Sequence, residues 1–85
     1  MADYHLKFKN SVWKDLKKVD QTQRSRLLEK AESLSHNPFP GKFRKLEGAD
    51  NIYRIRTGKY RIVYEVDTGT KLVTVCYIRH RKDAY

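Results

Sequence analysis

The sequence predicts an α+β fold in which a hairpin of two helices packs on one face of a small, mainly antiparallel twisted sheet. Apolar residues recur with a helical period between residues 12 and 34, and with the alternating period of a strand between residues 52 and 79. The links between the later strands are short, so consecutive strands are expected to pair antiparallel. The predicted order is therefore β-α-α-β-β-β, in a single domain spanning residues 1–85.

The first half of the chain predicts one strand and two helices. Residues 4–8 alternate polar and apolar side chains, as a half-buried strand does. Asn10 or Ser11 can cap the first helix, because either side-chain oxygen can accept a hydrogen bond from a free backbone N–H, and Asp20 is expected to cap the second. Arg24 falls on the outward face of that second helix, which must end before the proline at position 38. The residues on the buried faces of the two helices are Val12, Leu16, Val19, Leu27, Leu28, Ala31 and Leu34.

The second half predicts three strands where Ile, Val and Tyr are frequent, at residues 52–56, 60–66 and 72–79. Gly58 and Lys59 join the first two of these strands. They suit a two-residue turn of type II′, because that turn takes glycine at its first position. The turn determines the register of the hairpin, and it places Arg56 opposite Arg61.

The second link, at residues 67–69, suits a three-residue loop in which Gly69 takes the left-handed conformation. This loop would pair Arg61 with Val75 and Val63 with Val73. One face of the sheet then gathers a set of cationic and tyrosine side chains, namely Arg54, Arg56, Arg61, Tyr77, Arg79 and Arg81. A slip of one residue in either hairpin would scatter this set over both faces.

Such a face predicts an anionic ligand. Like charges directly opposite one another destabilise a sheet, so a bound anion would offset the cost. Arginine suits phosphate in particular, because its planar fork can donate two parallel hydrogen bonds. Some of the nearby tyrosines could stack on nucleobases, namely Tyr53, Tyr60, Tyr64 and Tyr77. The alternative is a solvated arginine face with some of these tyrosines in the core.

Charge and cysteine content exclude several classes of protein. The 85 residues carry 19 Lys+Arg against 10 Asp+Glu, a net charge of +9. The chain is too short for separate cofactor and substrate domains, and its apolar runs fall far below the roughly 20 residues that cross a membrane. It shows no signal-peptide pattern, its one cysteine cannot form an internal disulfide, and no Cys/His cluster has zinc spacing. We expect a reduced, cytoplasmic globule without cofactor or metal, whose partners are polyanions such as RNA, DNA or an acidic protein.

The C-terminal residues add further candidates for chemistry. Histidine titrates near neutrality, so His80 could donate or accept a proton, although a histidine in a basic tail is often only a surface residue. Arg81 could stabilise a charged phosphorane, and Tyr85 could orient a nucleotide or assist proton transfer. A broader RNA-binding role is predicted for other cations, with an ordinary solvated surface as the alternative for the helical ones: Lys14, Lys17, Lys18, Lys45, Lys59 and Arg79.

Three segments together carry a resemblance to a known family. They are YRIRTGKYRIVY at residues 53–64, HRKDAY at residues 80–85 and KLEG at residues 45–48. With the two amphipathic helices and the order of elements, the sequence resembles the RelE/ParE toxin superfamily over essentially its whole length. The resemblance implies a RelE-like toxin of a type II toxin–antitoxin system, which enters the ribosomal A site, cuts the mRNA there, inhibits translation and arrests growth.

For the RelE-like branch the resemblance implies a metal-independent endoribonuclease that uses the ribose 2′-OH as nucleophile. By position, Arg61 resembles the central phosphate-binding arginine of the family, and Arg54 and Arg56 fall on basic positions of the preceding strand. Arg81 and Tyr85 match the tail residues that stabilise the transition state and orient the nucleotide.

The general base is left open by the sequence. Arginine stays protonated in proteins, so Arg54 and Arg56 are poor bases at positions where a lysine would serve. Tyr85, His80 and a group of the ribosome stay as alternatives.

Two other functions also stay open. The ParE-like branch shares the fold and is a non-enzymatic inhibitor that binds DNA gyrase, while a relative with weakened catalysis would bind RNA without cutting it. A toxin of this type implies a cognate antitoxin, and the net charge of +9 predicts that this RelB-like partner is acidic. The expected partners are therefore the antitoxin and the ribosome with its rRNA and mRNA, and not a membrane.

Overall fold

The computed structural model describes residues 3–41, 43–46, 48 and 50–83, with residue 83 described by its backbone alone. These residues form two α-helices, five β-strands and a closing 3₁₀ turn. In chain order the elements are β1 His5–Phe8, α1 Asn10–Leu16, α2 Gln21–Ser33, β2 Arg44–Lys45, β3 Ile52–Thr57, β4 Tyr60–Asp67, β5 Leu72–His80 and the 3₁₀ turn Arg81–Asp83. The predicted α+β class is confirmed, because both helices pack on one mainly antiparallel sheet.

The described strands form a five-stranded sheet in the order β1-β5-β4-β3-β2. Strand β1 pairs with β5 in parallel, and the later pairs are antiparallel. Strand β2 is missing from the sequence prediction, since two residues are too few to show a period. It extends the sheet beyond β3 with Arg44 opposite Arg54, and the order of elements becomes β-α-α-β-β-β-β.

The core lies between the helices and the sheet, and the predicted helix faces are confirmed. On the helix side, no more than 6% of the surface stays exposed for Val12, Leu16, Val19, Leu27, Ala31 and Leu34. Leu28 is half-buried and packs against this group. The sheet contributes Ile55, Ile62, Tyr64, Val66, Val73, Val75 and Ile78.

Tyr64 joins the core to the loop that follows α2. Its side chain is fully buried, and its hydroxyl donates a hydrogen bond of 2.7 Å to the carbonyl of Pro38. Burial, and to a smaller extent the neighbouring Tyr53 hydroxyl, raises the pKa of Tyr64 well above its ordinary value. Tyr64 therefore serves packing, which removes it from the tyrosines that could stack on a base.

The predicted register of β4 with β5 is wrong. Arg61 lies opposite Arg79 rather than Val75, and Val66 rather than Val63 lies opposite Val73. The connection is also longer, because the carboxylate of Asp67 accepts hydrogen bonds from the backbone N–H groups of residues 69 and 70 and holds a turn over residues 68–71. The left-handed residue in this turn is Lys71, at φ 57°, and not Gly69.

A β-bulge within this strand pair explains why the arginines still share one face of the sheet, although the predicted register is wrong. The pairing shifts between Val63 and Tyr64, so that one extra residue, Cys76, stands on β5. Because side chains alternate along a strand, one extra residue reverses which face they occupy. Val75 therefore points into the core, while Tyr77 shares the opposite face with Val63.

The ends of the helices differ from the prediction. Lys9, not Asn10 or Ser11, occupies the N-cap of α1, and the Ser11 hydroxyl instead donates to the carbonyl of Cys76 at 2.6 Å. Helix α1 ends at residue 16, and Arg24, predicted to face outward, is half-buried. Its guanidinium donates to the carbonyls of residues 16 and 19, which lie at and just beyond the end of α1. Asp20 occupies the N-cap position of α2, as predicted, but its side chain makes no capping hydrogen bond.

Candidate phosphate-binding face

Three arginines lie side by side across the sheet, on the face opposite the helices. Arg56 lies opposite Arg61, as the turn at residues 58–59 predicted, and Arg61 lies opposite Arg79 on the other side. We call these three residues the arginine row. Directly opposed residues hold their Cβ atoms about 5 Å apart, so three arginine side chains start within the width of three strands, with the charge of Arg79 paired to Asp15. This arrangement favours the binding of an anion.

Arg61 stands at the centre of the row and is the most enclosed of the three. Only 7% of its surface is exposed, which is rare for a charged residue. Its side chain is therefore held in place by its surroundings, in contrast to the exposed Arg56. A cation held in this way is suited to orienting a ligand, because little side-chain freedom remains to be lost on binding.

Arg79 is held by contacts on two sides. Its Nη1 lies 2.7 Å from Oδ2 of Asp15 on α1, and its guanidinium carbon lies 4.6 Å from the ring centre of Tyr77. The same Asp15 oxygen accepts a hydrogen bond of 3.0 Å from the backbone N–H of Ile78. The sequence prediction placed Arg79 on the arginine face and gave it an RNA-binding role, and the structure adds that it lies directly opposite Arg61.

A second cationic area adjoins the row at the β2 edge. A cleft of about 420 Å³ is lined there by Gly41, Phe43, Arg44, Arg54 and Arg56. The sequence prediction missed Phe43 and Arg44, because the alternation that reveals strands does not extend to so short a segment. The Phe43 ring is partly exposed and packs edge-on against Phe39, with 5.4 Å between ring centres. The cleft thus combines three guanidinium groups with one aromatic surface.

His80 lies on the face of the sheet opposite to the arginine row. It pairs with Tyr60 across the sheet, and the two rings meet edge to face with 5.2 Å between their centres. Because Tyr60 packs against the core, this places the imidazole on the helix side of the sheet. A separate cleft of about 550 Å³ lies there, lined by Asp15, Lys18, Val19, Tyr60, Ile78, Arg79 and His80.

Arg81 lies outside the sheet. Strand β5 ends at His80, so Arg81 lies in the 3₁₀ turn and not on the arginine face of a strand. Arg81 is exposed, and its backbone N–H donates to the carbonyl of Lys59 at 2.8 Å. Tyr85 lies outside the described residues.

The remaining predicted cations are exposed and dispersed. Lys14 lies on α1, Lys17 is its C-cap, and Lys18 follows it and reaches the cleft beside His80. Lys45 belongs to β2 and Lys59 to the turn between β3 and β4. Their positions suit a broad electrostatic surface rather than one compact site.

Two further observations concern the described residues. Among them, no group of three His, Cys, Asp or Glu side chains is arranged to hold a metal ion. Within the same ranges, neither helix has the length and apolar character needed to cross a membrane.

Comparisons with known proteins agree with this fold. The family model of the ParE toxin of type II toxin–antitoxin systems matches residues 6–85. The RelE1 protein of Methanocaldococcus jannaschii is 31% identical over an aligned length of 85 residues. The alignment covers 96% of this chain and 94% of that protein. A chain of the archaeal RelE–RelB complex from Pyrococcus horikoshii OT3 superimposes with a TM-score of 0.82 at 30% identity, covering 99% of this chain and 100% of the other. For the RelB–RelE antitoxin–toxin complex from Methanococcus jannaschii the TM-score is 0.73 at 35% identity, with 93% and 94% covered. The chain therefore belongs to the RelE/ParE superfamily of toxins of type II toxin–antitoxin systems.

Proposed function

We propose that this toxin is a ribosome-dependent endoribonuclease that cleaves mRNA in the A site and thereby inhibits translation. The observation that carries the proposal is the arginine row, with Arg56, Arg61 and Arg79 directly opposed on three neighbouring strands. Like charges in this arrangement cost stability in the free protein. An RNA phosphate bound across the row would offset that cost.

The reaction is an in-line attack by a ribose 2′-oxygen on the adjacent phosphorus. The bond from the 2′-oxygen to phosphorus forms, the bond from phosphorus to the 5′-oxygen breaks, and the proton of the 2′-OH passes to the leaving 5′-oxygen. The products are a 2′,3′-cyclic phosphate and a 5′-hydroxyl. Negative charge grows on the phosphorane oxygens, and cations already in place stabilise it without reorganisation.

The roles follow from position. Arg61 binds the scissile phosphate, and Arg56 and Arg79 stabilise the charge that develops beside it. Arg54 and Arg44 hold a neighbouring phosphate in the cleft at the β2 edge. Arg81 approaches the same RNA from the 3₁₀ turn. Arginine cannot accept the proton, so we assign proton transfer to Tyr85 or to a ribosomal group.

Primer extension on translating ribosomes tests this proposal. We expect the native protein to cleave within codons, and Arg61→Ala to lose about 10²-fold or more in rate, the typical effect of removing one transition-state donor. Arg26→Ala is the matched control, because it removes the same charge from an exposed position on α2. Cleavage by Arg61→Ala at the native rate would contradict the assignment.

Inhibition of DNA gyrase is the second candidate, because the family model that matches the chain is that of the ParE toxin. Supercoiling assays with purified gyrase separate the two functions. Inhibition of supercoiling without mRNA cleavage would support the gyrase function, and RNA binding without either effect would indicate a catalytically weakened relative. We expect cleavage and unchanged supercoiling.

A cognate acidic antitoxin of the RelB type is the expected protein partner. Two of the similar structures are complexes of RelE with RelB, and a net charge of +9 favours an acidic partner. We expect a small acidic protein to be encoded beside this toxin. Co-expression of the two should relieve growth arrest, and the two chains should purify together.

The dispersed lysines are proposed to contact rRNA phosphates, and the salt dependence of ribosome binding measures this. Each lost phosphate contact should reduce the slope of log affinity against log salt by about one. Replacing Lys14, Lys17 and Lys18 by glutamine should therefore flatten the slope, and an unchanged slope would assign them to ordinary surface.

A further inference from the structure

We propose that His80 is a positioning residue, which caps the 3₁₀ turn and so holds Arg81 in place. Its Nδ1 accepts a hydrogen bond from the backbone N–H of Lys82 at 3.2 Å. The role of Arg81 in cleavage rests on the proposed function, whereas the capping of the turn stands on the structure itself.

The position of His80 is that of a helix N-cap. It is the last residue of β5 and immediately precedes the turn Arg81–Asp83. The first N–H groups of a helical turn have no partner within that turn, and a side-chain acceptor on the preceding residue commonly binds the second or third of them. The imidazole Nδ1 does here what the oxygen of serine or asparagine does at other N-caps.

Two further contacts hold the cap in its geometry. The His80 ring meets Tyr60 edge to face at 5.2 Å, with the ring planes at 85°. The backbone N–H of Arg81 donates to the carbonyl of Lys59 at 2.8 Å, which ties the start of the turn to the hairpin of β3 and β4. The backbone N–H groups of Arg81 and Lys82 are thus both hydrogen-bonded, and together they fix the backbone of the turn at Arg81.

This hydrogen bond determines which form of the histidine is required. A ring that accepts at Nδ1 is neutral and carries its proton on Nε2, whereas the doubly protonated ring has no acceptor left. The capping role therefore requires the neutral ring with its proton on Nε2.

Three variants separate a cap from a catalytic histidine. In His80→Asn the side-chain oxygen takes the position of Nδ1, since both atoms are bonded to Cγ. In His80→Gln the polar atoms lie one bond further out, nearer the position of Nε2, and His80→Ala has neither. We expect cleavage by the Asn variant within about threefold of native, and a loss of about tenfold for Gln and Ala, as the loss of an N-cap predicts.

A catalytic histidine would behave differently. Loss of a general acid or base costs about 10²–10⁴-fold, and asparagine cannot restore it. A loss of that size in His80→Asn would overturn the proposal.

Hydrogen exchange of the Lys82 amide tests the cap without any cleavage assay. Exchange should be about tenfold faster in His80→Ala than in the native protein, and unchanged in His80→Asn. Equal exchange in all variants would overturn the capping role. If the native protein fails to cleave mRNA while these exchange rates behave as expected, the proposed function is wrong and the cap is right.

Discussion

Replacing Asp15 by alanine should destabilise the protein strongly, because this carboxylate closes a sheet edge that β1 leaves open. Strand β1 pairs with β5 only as far as Val75. Beyond that point α1 supplies the partners: Ser11 binds the carbonyl of Cys76, and Asp15 accepts the N–H of Ile78 at 3.0 Å. A buried backbone N–H that loses its acceptor bears the full cost of desolvation.

The size of the effect follows from the two bonds that Asp15 accepts. The hydrogen bond from Ile78 goes to a charged acceptor that is only 16% exposed, and it contributes about 1.5–3 kcal/mol. The Arg79 side chain is 40% exposed, so solvent screening limits the ion pair to about 0.2–1 kcal/mol. Asp15→Ala should therefore lower the free energy of unfolding by about 2–3 kcal/mol. Asp15→Asn keeps an acceptor for the N–H and should lose about 1 kcal/mol.

Thermal unfolding followed by circular dichroism measures this. A change of 1 kcal/mol corresponds to about 4–8 °C in a domain of this size, so Asp15→Ala should lower Tm by about 10–20 °C. Glu29→Ala, on the exposed face of α2, is the control and should stay within about 0.5 kcal/mol of native. The reasoning is refuted if Asp15→Ala resembles that control. Equal losses in the Ala and Asn variants would show that the charge, and not the edge hydrogen bond, stabilises the fold.

Three other changes probe the elements that position the site. Tyr64→Phe should lower the free energy of unfolding by about 1–2 kcal/mol in urea titrations, because the carbonyl of Pro38 loses a buried donor; no change in the urea midpoint would contradict this. Gly58→Ala should cost about 1–2 kcal/mol, since Gly58 has φ 61°, and it should also weaken cleavage by loosening the register of the arginine row. The pKa of Asp67 lies below its ordinary range, chiefly because the backbone N–H of Thr70 donates to it. Its stabilisation should be complete above about pH 4 and lost as pH falls further. The difference in stability between native protein and Asp67→Ala should therefore stay constant from pH 7 to 5 and shrink below pH 4.

The two hairpins of the predicted site show which strand registers a local sequence pattern can predict. Arg56 opposite Arg61 follows from a two-residue turn with glycine first, and a turn of that length permits one register. The next register could not be predicted in the same way. It depends on the Asp67 turn and on the bulge at Cys76, neither of which produces a regular pattern in the sequence.

The C-terminal residues show a second limit. The alternation that places Arg79 on the arginine face leaves His80 on the other face, beside Tyr60, but it does not show that β5 ends at His80. Arg81 and His80 are adjacent in sequence, yet they belong to a turn and a strand. A list of basic tail residues therefore groups side chains that belong to different structural elements.

The sequence by itself determined the α+β class, the buried faces of both helices and the pairing of Arg56 with Arg61, because each of these depends on periods and turns within about ten residues. Tertiary structure alone decided that Arg79 completes the row beside Arg61, that Arg44 adds to the cleft at the β2 edge, and that α1 closes the end of β5. These features join residues far apart in the chain, and packing selects them by satisfying buried N–H groups and filling the core. A local sequence pattern does not determine these long-range contacts.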